Sequence, residues 1–195
     1  MTPMFVPPKT DLPKPPIYIA GVGPIMTEVA GEVGDGYFLH PFSTEKAMSE
    51  LSLAAIQRGL DRAGKSREDF SVAAQVITAT GLDEKTLQES IFGARSQIAF
   101  YASTPAYKPV LECHGWEAMH DEANKLSKEG KWMEMANLVD DEILNAIAVV
   151  GTPKEIAQKI AQRFQGKADR ISPVAYAPDV ELLSTMCEEI RAAIN

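Results

Sequence analysis

The sequence predicts an α/β protein built on a parallel sheet of about four strands. Two observations point there. Four short apolar segments are each followed by a stretch of helical periodicity, and strands joined through such crossovers run parallel. The third segment, DFSVAAQVITATG at 69–81, is apolar almost without interruption, the pattern of a strand covered on both faces. Two architectures satisfy this order. One is an open doubly wound sheet; the other is part of a (β/α) barrel, which when complete takes eight strands and about 250 residues. Taken alone, the length of 195 residues favours the open sheet.

The elements follow in order. Residues 1–16 hold six prolines and read as an extended lead-in, with the folded unit running from 17 to 195. IYIAG is the first strand, and residues 25–33 place Ile25, Val29, Ala30 and Val33 on one helical face. GDG ends that helix, and YFLHPF is the second strand. Ser43 or Thr44 caps a helix whose Ala47, Met48, Leu51, Ala55 and Leu60 share a side and which stops at Gly64. After the third strand a helical stretch runs from Asp83 to about Ala102, breaks at STPAYKPVLECHG, and resumes through WEAMHDEANKLSKEG and KWMEMANLVDDEILNAIAVV. An insertion of that length is a functional cap or a packing excursion, not a linker. Thr152, Pro153 and Glu155 form a capping-box start for the next helix. DRISPVAYAP is the last strand, followed by a closing helix.

Composition narrows the function classes. A hydrophobic content of 45 % with 24 % charged residues is that of a globular domain. No window approaches the roughly 20 apolar residues of a membrane span. The start of the chain lacks the basic, apolar and small-residue regions of a signal peptide, so the expected location is cytoplasmic. Cys113 and Cys187 are too few for a disulfide framework. A net charge of −8 without a Lys/Arg stripe excludes nucleic acid and anionic membrane surfaces as partners.

Chemistry concentrates at Gly21-Val22-Gly23-Pro24, between a strand and a helix. Glycines there permit positive φ and close approach, and the amides of a helix start face an anion. Met26 stands where a dinucleotide fingerprint requires its third glycine, so a Rossmann site is not indicated. A tight turn without a ligand explains the same residues. His40, just past the second strand, is a candidate proton-exchanging or hydrogen-bonding group, although one histidine satisfying a loop carbonyl reads the same way. Thr78, Thr80 and Tyr176 close strands and could reach a ligand hydroxyl, with structural roles favoured for each. Cys113, His114 and His120 do not have metal-ligand spacing, and no metal is expected. Tyr101, Tyr107, Trp116 and Trp132 lie in the insertion, where aromatics cover a pocket or pack; packing is the expectation for Trp132. Asp140, Asp141 and Glu142 precede a helix and suit its positive end.

The segment PPIYIAGVGPIMTEVAGEVGDGYFLHPF, with QIAFYASTPAYKPVLECHGW, DDEILNAIAVVGTPKEIAQKI and DRISPVAYAPDVELLSTM, resembles the C-terminal half of the luciferase-like monooxygenase superfamily, in particular its coenzyme F420-dependent subgroup. The resemblance covers essentially the whole chain. It implies a partial TIM barrel, strands five to eight, with a long helical insertion before the last strand. It also implies that Ala20, Gly21, Val22, Gly23 and Pro24 line the ribityl-phosphate side of the cofactor, although members often carry two adjacent glycines where Val22 here separates Gly21 from Gly23. The implied activity is hydride transfer between F420 and an organic small-molecule substrate, with His40 as the candidate catalytic residue. FMN and monooxygenation are the alternative chemistry. A further alternative is a catalytically silent fragment. The implied partners are a missing N-terminal half-barrel or a second copy of the chain.

Overall fold

A computed structural model of the chain describes residues 11–176 and 180–194; most of the proline-rich lead-in, and Ala177 and Pro178 at the end of the fourth segment, lie outside them. The first strand, β1, is Tyr18–Ala20, followed by α1 (Pro24–Val33), β2 (Gly36–Leu39), α2 (Glu45–Ala47), a π-helical turn (Met48–Leu53) and α3 (Ala54–Ala63). Then come β3 (Ser71–Ala79) and α4 (Glu84–Ala102). The excursion comprises α5 (Lys108–Glu112), α6 (Glu117–Lys128), α7 (Trp132–Met135) and α8 (Asp141–Ile147). The chain closes with β4 (Val149–Val150), α9 (Pro153–Phe164), β5 (Arg170–Ala175) and α10 (Val180–Ile194).

All pairings are parallel. β1 pairs with β2, and β2 with β3 in the register Phe38 to Ala73. Ala73 also pairs with Arg170, which places β5 on the opposite flank of β3. Thr78 pairs with both Val149 and Ala175. The short β4 therefore lies on the β2 side of β3, beyond the point where β2 ends. The order of the long strands is β1, β2, β3, β5, the about four parallel strands expected of a partial barrel. On the inner face the Arg170 guanidinium lies 5.6 Å from the Tyr18 ring, joining the last strand to the first, and Tyr18 packs on Phe38 at 5.3 Å.

Local signals account for most helix ends. Thr44 Oγ1 accepts the Ala47 amide and starts α2. Gly64 ends α3 with φ 65° in the left-handed region. Asp83 and Thr86 form a capping box at α4, and Thr152 and Glu155 form the one expected at α9. Asp140 caps α8 by accepting the Ile143 amide at 2.9 Å, a sufficient reason for the acidic run there.

Two apolar clusters cover the sheet. One holds Ala30, Ile56, Leu60, Val72, Ala74, Val76, Ile156, Ile160 and Met186, between the strands and α1, α3, α9 and α10. The other gathers the excursion: Phe42, Ile77 and Ala79 pack with Ala94, Ile98, Leu111, Ala123 and Leu144. The excursion is thus a second packed layer with its own core.

Four expectations need correction. The apolar positions of α1 do not share a buried face: Ala30 is buried, whereas Ile25 and Val33 are 77 % and 65 % exposed. The buried residues are Thr27, Ala30 and Gly31, because α1 meets α3 backbone to backbone. A Cβ on Gly31 would stand 2.4 Å from the Ile56 carbonyl oxygen, and one on Gly59 would stand 2.0 Å from that of Glu28. Small residues, not large ones, therefore face the contact. The helix expected to run to Val150 stops at Ile147, since the β-branched pair Val149–Val150 joins the tip of β3. The second helix contains six π-helical residues, which its apolar periodicity does not reveal. Trp132 is 52 % exposed, touching Phe100 at 6.3 Å, and is not part of the packed core.

Gly59→Ala is expected to destabilise the protein by about 1–3 kcal/mol or more, the cost of overpacking a close contact, read from the midpoint of urea unfolding. An unchanged midpoint would refute the backbone contact between α1 and α3.

Candidate functional site

At the carboxyl ends of β1 and β2 the chain encloses a cavity of about 190 Å³. Its walls are the turn Gly21–Pro24, the start of α1, the tip of β2, the π-helical turn through Leu51 and Ser52, and the segment Ala106–Val110. π-helical turns are uncommon and recur at functional sites. Gly21, Val22, Gly23, Pro24 and His40 all line this one space; Ala20 ends β1, exposed, outside that lining.

Two hydroxyls shape the turn. Tyr37 donates to the Gly21 carbonyl at 2.6 Å, and Thr27 donates to the Gly23 carbonyl at 2.9 Å, with 3.1 Å between the two oxygens. Burial raises the Tyr37 pKa, which keeps it a donor. Both glycine carbonyls are therefore engaged on the protein side. Gly23 has φ 83°, and a Cβ on Gly21 would meet that of Met26 at 2.9 Å. Pro24 opens α1 without an N–H and the Thr27 amide already donates to the Gly23 carbonyl, so the free amides at the helix start are those of Ile25 and Met26; no side chain caps them, and the first turn holds no acidic residue. An anion here meets amides and the positive end of a ten-residue helix. Among the described residues neither Lys nor Arg lines the cavity, so those backbone groups would carry the binding.

His40 stands on the opposite wall. The Phe42 amide donates to its Nδ1 at 3.1 Å, so the neutral ring carries its proton on Nε2. Nε2 lies 3.0 Å from the Tyr107 hydroxyl, to which it donates. The two rings stack at 4.5 Å, and Tyr101 meets His40 edge-on at 4.7 Å. Burial lowers the His40 pKa to about 4. The imidazole is a fixed neutral donor at neutral pH.

The other candidates lie elsewhere. Thr78 and Thr80 are buried at the end of β3, with hydroxyls that have no partner among the described residues. Tyr176 follows β5 and packs on Gly93, its pKa pushed up to about 12 by burial. His114 stacks on Trp116 at 4.2 Å and shares a hydrogen bond with Thr44 at 2.8 Å. His120 donates from Nδ1 to the Ala102 carbonyl at 2.6 Å. Sequence reasoning misses Tyr37 and Thr27 as holders of the turn; Tyr107 is visible as an aromatic of the insertion, but not its pairing with a residue 67 positions away.

The family model described as luciferase-like monooxygenase matches residues 2–170. The chain belongs to the luciferase-like monooxygenase family. An uncharacterised protein of Mycobacterium tuberculosis is 44 % identical over 191 residues, which is 98 % of this chain and 56 % of that protein. The 5,10-methylenetetrahydromethanopterin reductase of Archaeoglobus fulgidus is 32 % identical over 154 residues, covering 74 % of this chain and 43 % of the reductase. Among solved structures, the coenzyme F420-dependent tetrahydromethanopterin reductase of Methanopyrus kandleri superposes with a TM-score of 0.75 at 24 % identity, over 92 % of this chain and 51 % of that one. This luciferase-like chain thus spans about half the length of the relatives it matches, and its curved parallel sheet is part of a (β/α) barrel. Among the described residues no helix is long and apolar enough to cross a membrane.

Because the folded His40 pKa, about 4, lies below its usual 6.5, the folded state binds fewer protons than the unfolded state between those values. Stability is therefore expected to fall as pH drops through this window. The His40 imidazole resonances, followed by NMR, are expected to titrate near pH 4; a midpoint near 6.5 would refute the desolvated neutral ring.

Proposed function

We propose that this chain supplies one wall of a deazaflavin site in an F420-dependent oxidoreductase that moves hydride between the coenzyme and a small organic substrate. The observation that carries the reading is the glycine turn. With the Gly21 and Gly23 carbonyls tied back by Tyr37 and Thr27, the turn offers an anion donors rather than lone pairs. The Val22 and Gly23 amides before the uncapped start of α1 would hold the phosphate-bearing side of F420, with Pro24 shaping the turn and Ala20 and Gly21 completing the strand end. When bound, F420 supplies the hydride-carrying ring. The chain's own part is to fix the anionic tail, exclude water with Leu39, Phe42 and Val110, and present His40 and Tyr107 as polar groups. His40 acts here as a donor that holds Tyr107, not as an acid titrating near neutrality. The coenzyme F420 dependence of the Methanopyrus kandleri reductase, whose fold this chain shares, supports F420 over FMN. The complement of the site, the other wall, belongs to the part of the barrel that this chain does not span.

A second reading has an observation of its own. Ile17 beside β1, Ile25 and Val33 on α1, and Phe38 on β2 are exposed, so the chain by itself could be catalytically silent, a half-barrel binding its cofactor only with a complement.

Fluorescence titration of the protein with F420 and with FMN tests both. Micromolar binding of F420 alone is expected, weakened about tenfold in Tyr37→Phe, where the Gly21 carbonyl is released toward the anion. Binding of FMN alone would overturn the deazaflavin assignment, and binding of neither would favour the silent half-barrel.

A further inference from the structure

We propose that Tyr107 binds the oxygen of the organic substrate in this cavity, donating its phenolic proton to a ketone or alcohol oxygen on an otherwise apolar molecule, and that His40 is its positioning residue. The proposal rests on reading the cavity as a ligand site.

The argument is an account of protons. Thr27 and Tyr37 also line the cavity, but both spend their protons on the glycine turn. Ser43 reaches only the Thr44 carbonyl, at 3.4 Å. Tyr107 differs. Its oxygen accepts the Nε2 proton of His40, because Nδ1 is already occupied by the Phe42 amide. Its own proton has no acceptor among the described residues. A hydroxyl that accepts a hydrogen bond on one side directs its proton elsewhere and becomes a stronger donor. Stacking on His40 and edge contact with Tyr101 at 5.5 Å fix the phenol ring. The Ser52 hydroxyl, also on the wall, is free to rotate and has no such support.

A packing role does not explain the pair. Tyr107, Tyr101 and Phe42 would make the same ring contacts around a leucine at position 40. What the imidazole adds, at the cost of its desolvation, is the two directed bonds from Phe42 and to Tyr107. Those bonds fix the orientation of one hydroxyl. The remaining walls, Leu39, Phe42, Ala47, Leu51, Ala106 and Val110, suit the hydrocarbon part of such a molecule. A fixed, half-buried donor among apolar walls favours a ligand that carries an oxygen to meet it.

The test uses the full chain without coenzyme, so its outcome is independent of F420 binding. The probes are cyclohexanone carrying ¹³C at its carbonyl, and methylcyclohexane. On binding, the carbonyl resonance is expected to move downfield, with an isotope shift in D₂O that reports an exchangeable donor. Tyr107→Phe is expected to weaken cyclohexanone about tenfold, the scale of one lost hydrogen bond, and to abolish the shift, leaving methylcyclohexane affinity unchanged. His40→Leu is expected to reduce the shift with the Tyr107 ring still in place. The wild-type measurement stands even if a variant fails to fold. Absence of the downfield shift in the wild type, equal cyclohexanone affinity in Tyr107→Phe, parallel loss of both probes, or loss of the shift in Ser52→Ala would each overturn the proposal.

Discussion

The hydrogen bond from Tyr37 to the Gly21 carbonyl, 2.6 Å long, joins the second strand to the turn that follows the first. Without it that carbonyl would compete with any anion for the space beside α1. The bond also fixes where α1 begins relative to β2, and so where the Gly21–Pro24 wall stands relative to His40. Thr27 repeats the device one turn into the helix. The site's electrostatic character is thus set by two neutral hydroxyls rather than by charged side chains, consistent with a chain of net charge −8 in which, among the described residues, neither Lys nor Arg lines the cavity.

Much of the fold was legible because its determinants are local. Thr152, Pro153 and Glu155 specify a helix start within four residues, and Gly64 ends α3 where a left-handed residue is needed. The strands were readable from apolar runs, and their parallel order from the helices between them. What stayed hidden depends on residues far apart in the chain. Which side of α1 is buried is decided by Gly59 on α3, and periodicity favoured Ile25 and Val33 because it weighs size and not the closeness of two backbones. The strand Val149–Val150 exists only because the tip of β3 has a free flank beyond β2.

The candidate site divides in the same way. The glycine turn and His40 could be picked out from residue type and position, and the structure brings them to one cavity. The role of His40 could not. Its tautomer is set by the Phe42 amide two residues on, and its protonation by burial beneath aromatics of the distant excursion. The excursion therefore does more than pack against α4: Tyr107 comes from it, and a wall of the cavity with it.

The cation–π contact between Arg170 and Tyr18 bears on how such a curved sheet is completed. None of the five strands contains Asp or Glu. A ring closed by two identical copies would set two guanidinium groups across one lumen with no strand carboxylate to neutralise them, and desolvating unpaired like charges is costly. A complementary surface that carries a carboxylate opposite Arg170 would meet no such penalty.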